Sequence, residues 1–335
     1  MLSAAGALAR RGILVRRLDA LEALAGIDTV VFDKTGTLTS DVMVLGQIRV
    51  RAGLDAQQAV AMASALARHS LHPASRALVE AAGPANNGWL ASGVVEHHGL
   101  GLSALVYPDG VAGQTLPLRL GSAKFCGVPA TDAAVMQVFL SDDKHWLATF
   151  ELEEDIRADA RETVTALKAC GLNVCLLSGD VVAAAQRVAS RVGIEAFKGQ
   201  CSPQDKLDFL RDCQLQGHKV AVVGDGLNDG PILAAAHASF AFGQAVPLTQ
   251  AQADFLVAGS RLTDIAGALL LARRTLAVVR QNLWWAAIYN AVCVPLAVLG
   301  MLPAWLAGIG MASSSLLVVL NALRLTQTRP WQREN

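Results

Sequence analysis

Asp33 follows the apolar run 29–32 (Thr-Val-Val-Phe) and precedes Lys34, Thr35, Gly36, Thr37, Leu38 and Thr39. The run reads as a buried strand of a parallel sheet. The carboxyl end of such a strand is where α/β folds place their chemistry. A carboxylate there can act as a covalent nucleophile and form an aspartyl-phosphate. The glycine and threonines behind it offer backbone N–H and hydroxyl donors to a phosphate. Two further apolar runs end in comparable groups. Residues 174–177 lead into Ser178-Gly179-Asp180, and a small hydroxyl at a strand end can donate to a phosphoryl oxygen. Residues 219–223 lead into Gly224-Asp225-Gly226-Leu227-Asn228-Asp229-Gly230-Pro231. Two carboxylates beside a phosphate suit Mg²⁺, a hard cation that takes oxygen ligands.

These groups lie far apart in the chain, so a fold must bring them together. The pattern over 158–169 predicts an amphipathic helix closed by Gly171. Strand 174–177, helix 183–192 and strand 195–197 follow. Such alternation predicts a parallel sheet with right-handed crossovers. The loops bearing Asp33, Ser178 and Asp225 then converge at one sheet edge. More than 100 residues separate Thr39 from Asp155, too many for a loop and about the size of a small domain. The expected fold is an α/β Rossmann-like domain at 27–41 and 149–272, with an α+β domain inserted at 42–148.

Composition sets the remaining bounds. The 335 residues suffice for two or three domains. Hydrophobic residues make up 53% and the mean hydropathy is +0.39, high for a purely soluble protein. The 28 basic and 28 acidic residues balance, so no basic excess points to nucleic acid. Six cysteines stand singly with no CxxC, which fits a reducing compartment and no disulfide framework. Cys175 falls in an apolar strand as a core residue. The N-terminus lacks a long apolar stretch, so no cleaved signal peptide is expected.

Positions 282–323 contain no Asp, Glu, Lys, Arg or His. As helix they extend about 63 Å, roughly two crossings of a ~30 Å hydrocarbon core. Gly300-Met301-Leu302-Pro303 offers the turn. The expectation is a helical hairpin, 280–300 and 304–324, with Trp284, Trp285 and Trp305 near its ends. Arg273, Arg274 and Arg280 precede it, and Arg324, Arg329 and Arg333 follow it. The positive-inside rule places both flanks in the cytoplasm.

The string Asp33-Lys34-Thr35-Gly36-Thr37-Leu38-Thr39 resembles the phosphorylation signature of P-type ATPases, cation pumps with a haloacid-dehalogenase-like core. Ser178-Gly179-Asp180 resembles their TGD motif, with serine for threonine. Ser202 to Lys206 resembles P-x-x-K, where the lysine would hold the phosphoryl group and help neutralise the nucleophile. Gly224 to Pro231 resembles GDGxNDxP, and Asp155-Ile156-Arg157 resembles the D-x-x-R stretch. The resemblance implies Mg²⁺ held by Asp33, the Thr35 carbonyl and Asp225. Asn228 and Asp229 would support the site or face the phosphate. Phosphatases of the dehalogenase type commonly carry a second Asp where Thr35 stands. Without it the aspartyl-phosphate should hydrolyse slowly.

Within the insertion, Ser70-Leu71-His72-Pro73 resembles the S-x-H-P of heavy-metal P-type ATPases, where the histidine contacts ATP. Glu96, Gly99 and Gly101 match E-x-x-G-x-G, whose glycines let the backbone approach the nucleotide. The insertion is thus expected to be a nucleotide-binding domain, beside a phosphorylation domain. His97 and His98 read as solvated loop or strand-end histidines, since no third ligand is spaced to join them.

In the hairpin, Tyr289-Asn290 and Met311-Ala312-Ser313-Ser314-Ser315 resemble the YN and M-x-x-S-S elements of copper(I)-transporting P1B-type ATPases. A thioether suits Cu⁺ better than Zn²⁺. Tyr289, Asn290, Met311, Ser314 and Ser315 are the implied copper ligands, with Cys293 an accessory candidate. Helix packing alone would also place small and amide residues there. The 68–73 stretch and the 311–325 tail resemble pumps that supply copper to bacterial cbb3-type oxidases.

In that family a C-P-C helix and an actuator domain with a TGE loop precede this region. Here the chain begins just after them, and 1–26 reads as the linker from a preceding transmembrane helix. The implied protein exports copper(I) using ATP, as a multi-pass protein of a bacterial inner membrane with cytoplasmic soluble domains. Its partners would be membrane lipid, the copper ion, a copper chaperone, and the missing N-terminal half or a complementary subunit. Three alternatives stay open: another heavy-metal pump (Zn, Cd or Co), a dehalogenase-type phosphatase, and a silent ATP-binding membrane partner.

Overall fold

The computed structural model describes residues 1–84, 88–110, 115–129, 135–224, 229–242, 252–259 and 261–325. They form two compact units, Met1–Leu38 with Ala158–Asn335, and Thr39–Arg157.

The first unit is built on a seven-stranded sheet. Its spatial order is Ile13–Val15, Phe255–Val257, Ala238–Phe242, Val220–Gly224, Thr29–Asp33, Asn173–Leu177 and Ala196–Lys198. Every neighbouring pair is parallel except Ile13–Val15 with Phe255–Val257. The strand ending in Asp33 is central, which explains its unbroken Val30-Val31-Phe32 run: a strand covered on both faces must be apolar on both. One face carries Val31, Leu177, Val220 and Val222 against Leu210, Ile232 and Leu233 of helices Pro203–Leu215 and Gly230–Ala235. Cys175 packs against this cluster. The register pairs Asp33 with Leu177 and Phe32 with Val223. Asp33, Ser178 and Gly224 therefore leave adjacent strands at one edge.

The second unit is a six-stranded antiparallel sheet. Its order is Thr39–Val50, Trp146–Ile156, Met136–Ser141, Leu116–Gly121, Gly101–Pro108 and Trp89–His97. Helices Ala56–Ala67 and Pro73–Ala82 cover one face, with Leu66 and Leu78 set among Leu102, Val106, Leu118, Leu140 and Phe150. Asp55 starts the first helix by accepting the N–H groups of Gln57 and Gln58. The unit is wider than the expected 42–148. Thr39–Val50 and Trp146–Ile156 pair with each other, so both complete strands belong to this sheet.

Gly101 and Gly121 stand opposite each other in the ladder. A Cβ on Gly101 would run into the Leu120 carbonyl, and one on Gly121 into the Leu100 carbonyl. Gly101 also sits at φ +150°, where side chains are disfavoured.

The C-terminal region forms two helices joined at the expected turn, and it departs from the expected hairpin only in where the first helix starts. No break occurs near residue 280; one helix runs Thr263–Val298, 36 residues or about 54 Å. Its first part is buried, with the last buried residue at Val278. A turn at Gly300 (φ +71°) leads into helix Ala304–Leu323. Among the described residues, one helix is long and apolar enough to cross a membrane, over Trp305–Leu323. Gln281, Asn282, Tyr289 and Asn290 dilute the apolar character of the first helix.

Gly121→Ala should force the facing strands apart at a cost of about 1–3 kcal/mol. Hydrogen exchange should then show lost protection over Gly101–Pro108 and Leu116–Gly121. Unchanged protection there would contradict the glycine pairing.

Candidate active site

Lys206 organises the edge of the first sheet. The Ser202–Asp205 capping box starts its helix: the Ser202 hydroxyl accepts the Asp205 N–H, and the Asp205 carboxylate accepts the Ser202 N–H. Lys206 follows in the first turn, and its buried ammonium donates to Asp33 Oδ1 at 2.5 Å and to Asp229 Oδ1 at 2.8 Å. Asp229 is 2% exposed. Gly224 leaves it room, since a Cβ there would lie 2.9 Å from Asp229 Oδ2.

Burial and then the Asp229 charge raise the Asp33 carboxyl, against the pull of Lys206, to about 6. Burial acts to lower Lys206, but Asp33 and Asp229 outweigh it and hold it above its ordinary value. Lys34 is also buried, and it pairs with Asp180. Ser178 is buried with its hydroxyl accepting the Asp180 N–H at 3.1 Å, and Gly179 is exposed beside it. Thr35 is exposed, and Gly36 turns the chain at φ 67°. Among the described residues the Thr37 hydroxyl, fully buried, has no hydrogen-bond partner. A buried orphan hydroxyl is costly, and a bound oxyanion would satisfy it. Asp225 and Asn228 lie outside the described residues.

The second unit holds a cleft of about 240 Å³, and it gathers every nucleotide-binding candidate except Pro73. Pro73 is the first residue of the adjoining helix, and His72 caps it, its Nδ1 accepting the Ala74 N–H at 3.2 Å. The Ser70 hydroxyl donates to Glu96 Oε1 at 3.3 Å. Gly99 (φ +71°) and Gly101 form the opposite wall. Leu78, Leu102, Leu120 and Val138 give the cleft an apolar lining. His97 is the strand-end histidine of Trp89–His97, bonding Ser103 at 2.9 Å and lying 4.9 Å from the Phe125 ring, and His98 is exposed in the turn that follows.

The hairpin does not gather the five copper candidates. Tyr289 donates to the Ala307 carbonyl at 3.4 Å, in the space that Gly310 leaves. Ser314 accepts the Trp285 indole N–H at 3.1 Å. Asn290, Met311 and Ser315 are exposed. Successive residues of a helix diverge by about 100°, and within this hairpin Tyr289 and Ser314 meet the opposite helix while Asn290 and Ser315 are exposed.

A family of haloacid dehalogenase-like hydrolases matches residues 27–237, which contain Asp33, Ser178, Lys206 and Asp229. The chain belongs to the haloacid dehalogenase-like hydrolases. Its homologues along the whole chain are heavy-metal P-type ATPases. It is 39% identical over 328 residues to the nitrogen fixation protein FixI of Rhizobium leguminosarum bv. viciae, covering 96% of this chain and 41% of that one. It is 38% identical over 350 residues to a probable copper-transporting ATPase, SynA, of a Synechococcus strain, covering 100% of this chain and 43% of that one. A crystal structure of a zinc-transporting PIB-type ATPase in the E2.Pi state superposes with a TM-score of 0.85 at 30% identity, over 97% of this chain and 54% of that one. The chain thus spans about two fifths of the length of these curated relatives.

In this dehalogenase-like site, sequence reasoning missed three things. They are the sharing of Lys206 by two carboxylates, the Lys34–Asp180 pair, and the Thr37 orphan. Only the last had a local signal, a threonine amid buried neighbours.

Burial and the Asp229 charge lift the Asp33 carboxyl from its ordinary value of 3.8 to about 6 on folding, so between those values the folded state binds more protons. Stability contributed by Asp33 therefore falls as pH rises through that window. Asp33→Asn should raise the melting temperature of the Mg²⁺-free chain above about pH 6, and the gain should vanish below about pH 4. Lys206→Met, which strands the buried Asp229 beside the partly buried Asp33, should cost about 3–5 kcal/mol. Thermal melts across pH check both.

Proposed function

We propose that this chain is the catalytic part of a P1B-type ATPase, in which Asp33 accepts the γ-phosphoryl group of ATP. A carboxylate oxygen of Asp33 attacks the γ-phosphorus, the bond to the ADP oxygen breaks, and ADP leaves. The observation that carries this reading is Lys206 held between Asp33 and Asp229. It puts one fixed cation where a nucleophile and a phosphoryl group would meet. Lys34, Ser178, Gly179 and Thr37 would supply further donors to the phosphoryl oxygens, with Asp180 holding Lys34. His72, Pro73, Glu96, Gly99 and Gly101 would hold ATP in the second unit's cleft. The insertion is then the nucleotide-binding domain and the seven-stranded sheet the phosphorylation domain.

Oxygen donors alone, the Asp33 carboxylate and Thr35 carbonyl with Asp225, fit a hard cation such as Mg²⁺. Bound there, it would neutralise charge on the transferred phosphoryl group. Asn228 and Asp229 would support that site. Thr35 stands where an acid would serve as the base that activates water, which favours a lasting phosphoenzyme.

The transported ion in this reading is Cu⁺. The thioether of Met311 is a soft ligand, and one relative bears a copper-transporting name. Tyr289, Asn290, Met311, Ser314 and Ser315 would complete their site against further membrane segments or a partner chain. Export would run from the cytoplasm across a bacterial inner membrane, with a copper chaperone as donor. The zinc-transporting structure favours a second reading, a Zn²⁺ cargo.

Incubation with γ-labelled ATP and Mg²⁺ should leave acid-stable label on the chain. Asp33→Asn should abolish it, and His72→Ala should weaken ATP binding about tenfold, or ~1.4 kcal/mol. Rapid turnover of small phosphate esters without label would instead favour a phosphatase, and ATP binding without label a silent partner. For the cargo, chelator competition should show Cu⁺ bound more weakly after Met311→Leu; unchanged Cu⁺ binding, with Zn²⁺ bound, would favour the zinc reading.

A further inference from the structure

The hairpin has a groove that none of the roles above uses. It measures about 570 Å³ and is lined by Gln281, Asn282 and Trp285 on one helix, and by Leu317, Leu320, Asn321 and Arg324, among others, on the other. Its polar wall is a connected chain. Asn321 Nδ2 donates to Asn282 Oδ1 at 2.9 Å and to Gln281 Oε1 at 3.4 Å. Both amide hydrogens of Asn321 are thereby engaged, which fixes the amide and turns its oxygen toward Arg324. Arg324 donates one N–H to that oxygen at 3.5 Å. A guanidinium has five N–H donors, so Arg324, an exposed residue of the groove wall, has donors left for a ligand. No carboxylate pairs with Arg280 or Arg324 among the described residues, and none occurs in the sequence from 265 to 333. Below the polar wall, Leu317 and Leu320 are half-exposed and apolar.

We propose that this groove binds one anionic phospholipid, its phosphate on Arg324 and an acyl chain along Leu317 and Leu320. The charge selects the ligand: an arginine on the groove wall with no acid paired to it among the described residues favours a lipid with net negative charge over a zwitterionic one. The place also fits. The groove lies where the apolar span Trp305–Leu323 gives way to Arg324, the headgroup level of a bilayer. Trp285 lines it, as indoles line that level. Guanidinium forks match phosphate oxygens in pairs, which lysine cannot do. Asn321 acts through Arg324 as a positioning residue.

The proposal rests on the membrane reading of the hairpin, and the experiment separates the two. The full chain is first tested for flotation with neutral phosphatidylcholine vesicles. It is then placed in phosphatidylcholine nanodiscs with and without phosphatidylglycerol, and retained lipid is counted by native mass spectrometry. Phosphatidylglycerol should be retained over phosphatidylcholine about fivefold, the equivalent of the ~1 kcal/mol that one arginine gains at an anionic surface. Arg324→Gln should abolish the preference, Asn321→Ala should weaken it, and Arg324→Lys should restore only part. Flotation with equal retention of both lipids would overturn the lipid site alone. So would preference unchanged in Arg324→Gln, or its loss on adding inorganic phosphate at the lipid's concentration. Failure to float would overturn the membrane reading and the site with it.

Discussion

One buried ammonium sets the terms for the whole first unit. Lys206 holds Asp33 and Asp229 together in a place where two carboxylates would otherwise repel each other. Burial penalises all three charges, so the arrangement persists only because its geometry is enforced from outside. The enforcement is visible in the backbone. Asp33 is the last residue of a central strand, Lys206 sits in the first turn of a capped helix, and Asp229 fills the space a side chain at Gly224 would occupy. Each positioning element is apolar and tightly packed where it meets the core.

That constraint also explains why the site suits group transfer better than stable rest. The folded chain carries Asp33 raised to about 6, and a fully buried hydroxyl at Thr37 with nothing to bond among the described residues. Both cost stability. Both are relieved by a ligand that brings oxygen acceptors and a cation. Sites of this kind trade stability for function. The second unit shows a milder version, with facing glycines opening backbone to the cleft where Ser70, His72 and Glu96 gather.

Much of this was legible in the sequence because it is written locally. An apolar run ending in Asp33, another ending in Ser178, and a third ending in Gly224 predict parallel strands whose ends converge, and the register brings Asp33, Ser178 and Gly224 to one edge. The Lys34–Asp180 pair was not legible, because charge pairing across the chain leaves no spacing signal. The unit boundary differs from the expected 42–148 at both ends. Thr39–Val50 and Trp146–Ile156 take their identity from pairing with each other, and a strand alone does not say which sheet it joins. The helix Thr263–Val298 hid its length for a related reason: the absence of charge after residue 281 marks a change of surroundings, and the backbone runs through that change unbroken. Asn290, Met311 and Ser315 were grouped with Tyr289 and Ser314 by resemblance, and helical geometry spreads them over different faces.

The central claim is that Lys206 keeps the buried Asp229 and the partly buried Asp33 in one site with Asp33 strongly perturbed. Carboxyl ¹³C titration of the Mg²⁺-free chain tests it directly, with Asp33 assigned by comparison with Asp33→Asn. The account predicts an apparent Asp33 pKa of about 6, moving higher still in Lys206→Met. An Asp33 that titrates as an ordinary carboxylate, and does so equally with and without Lys206, would contradict it.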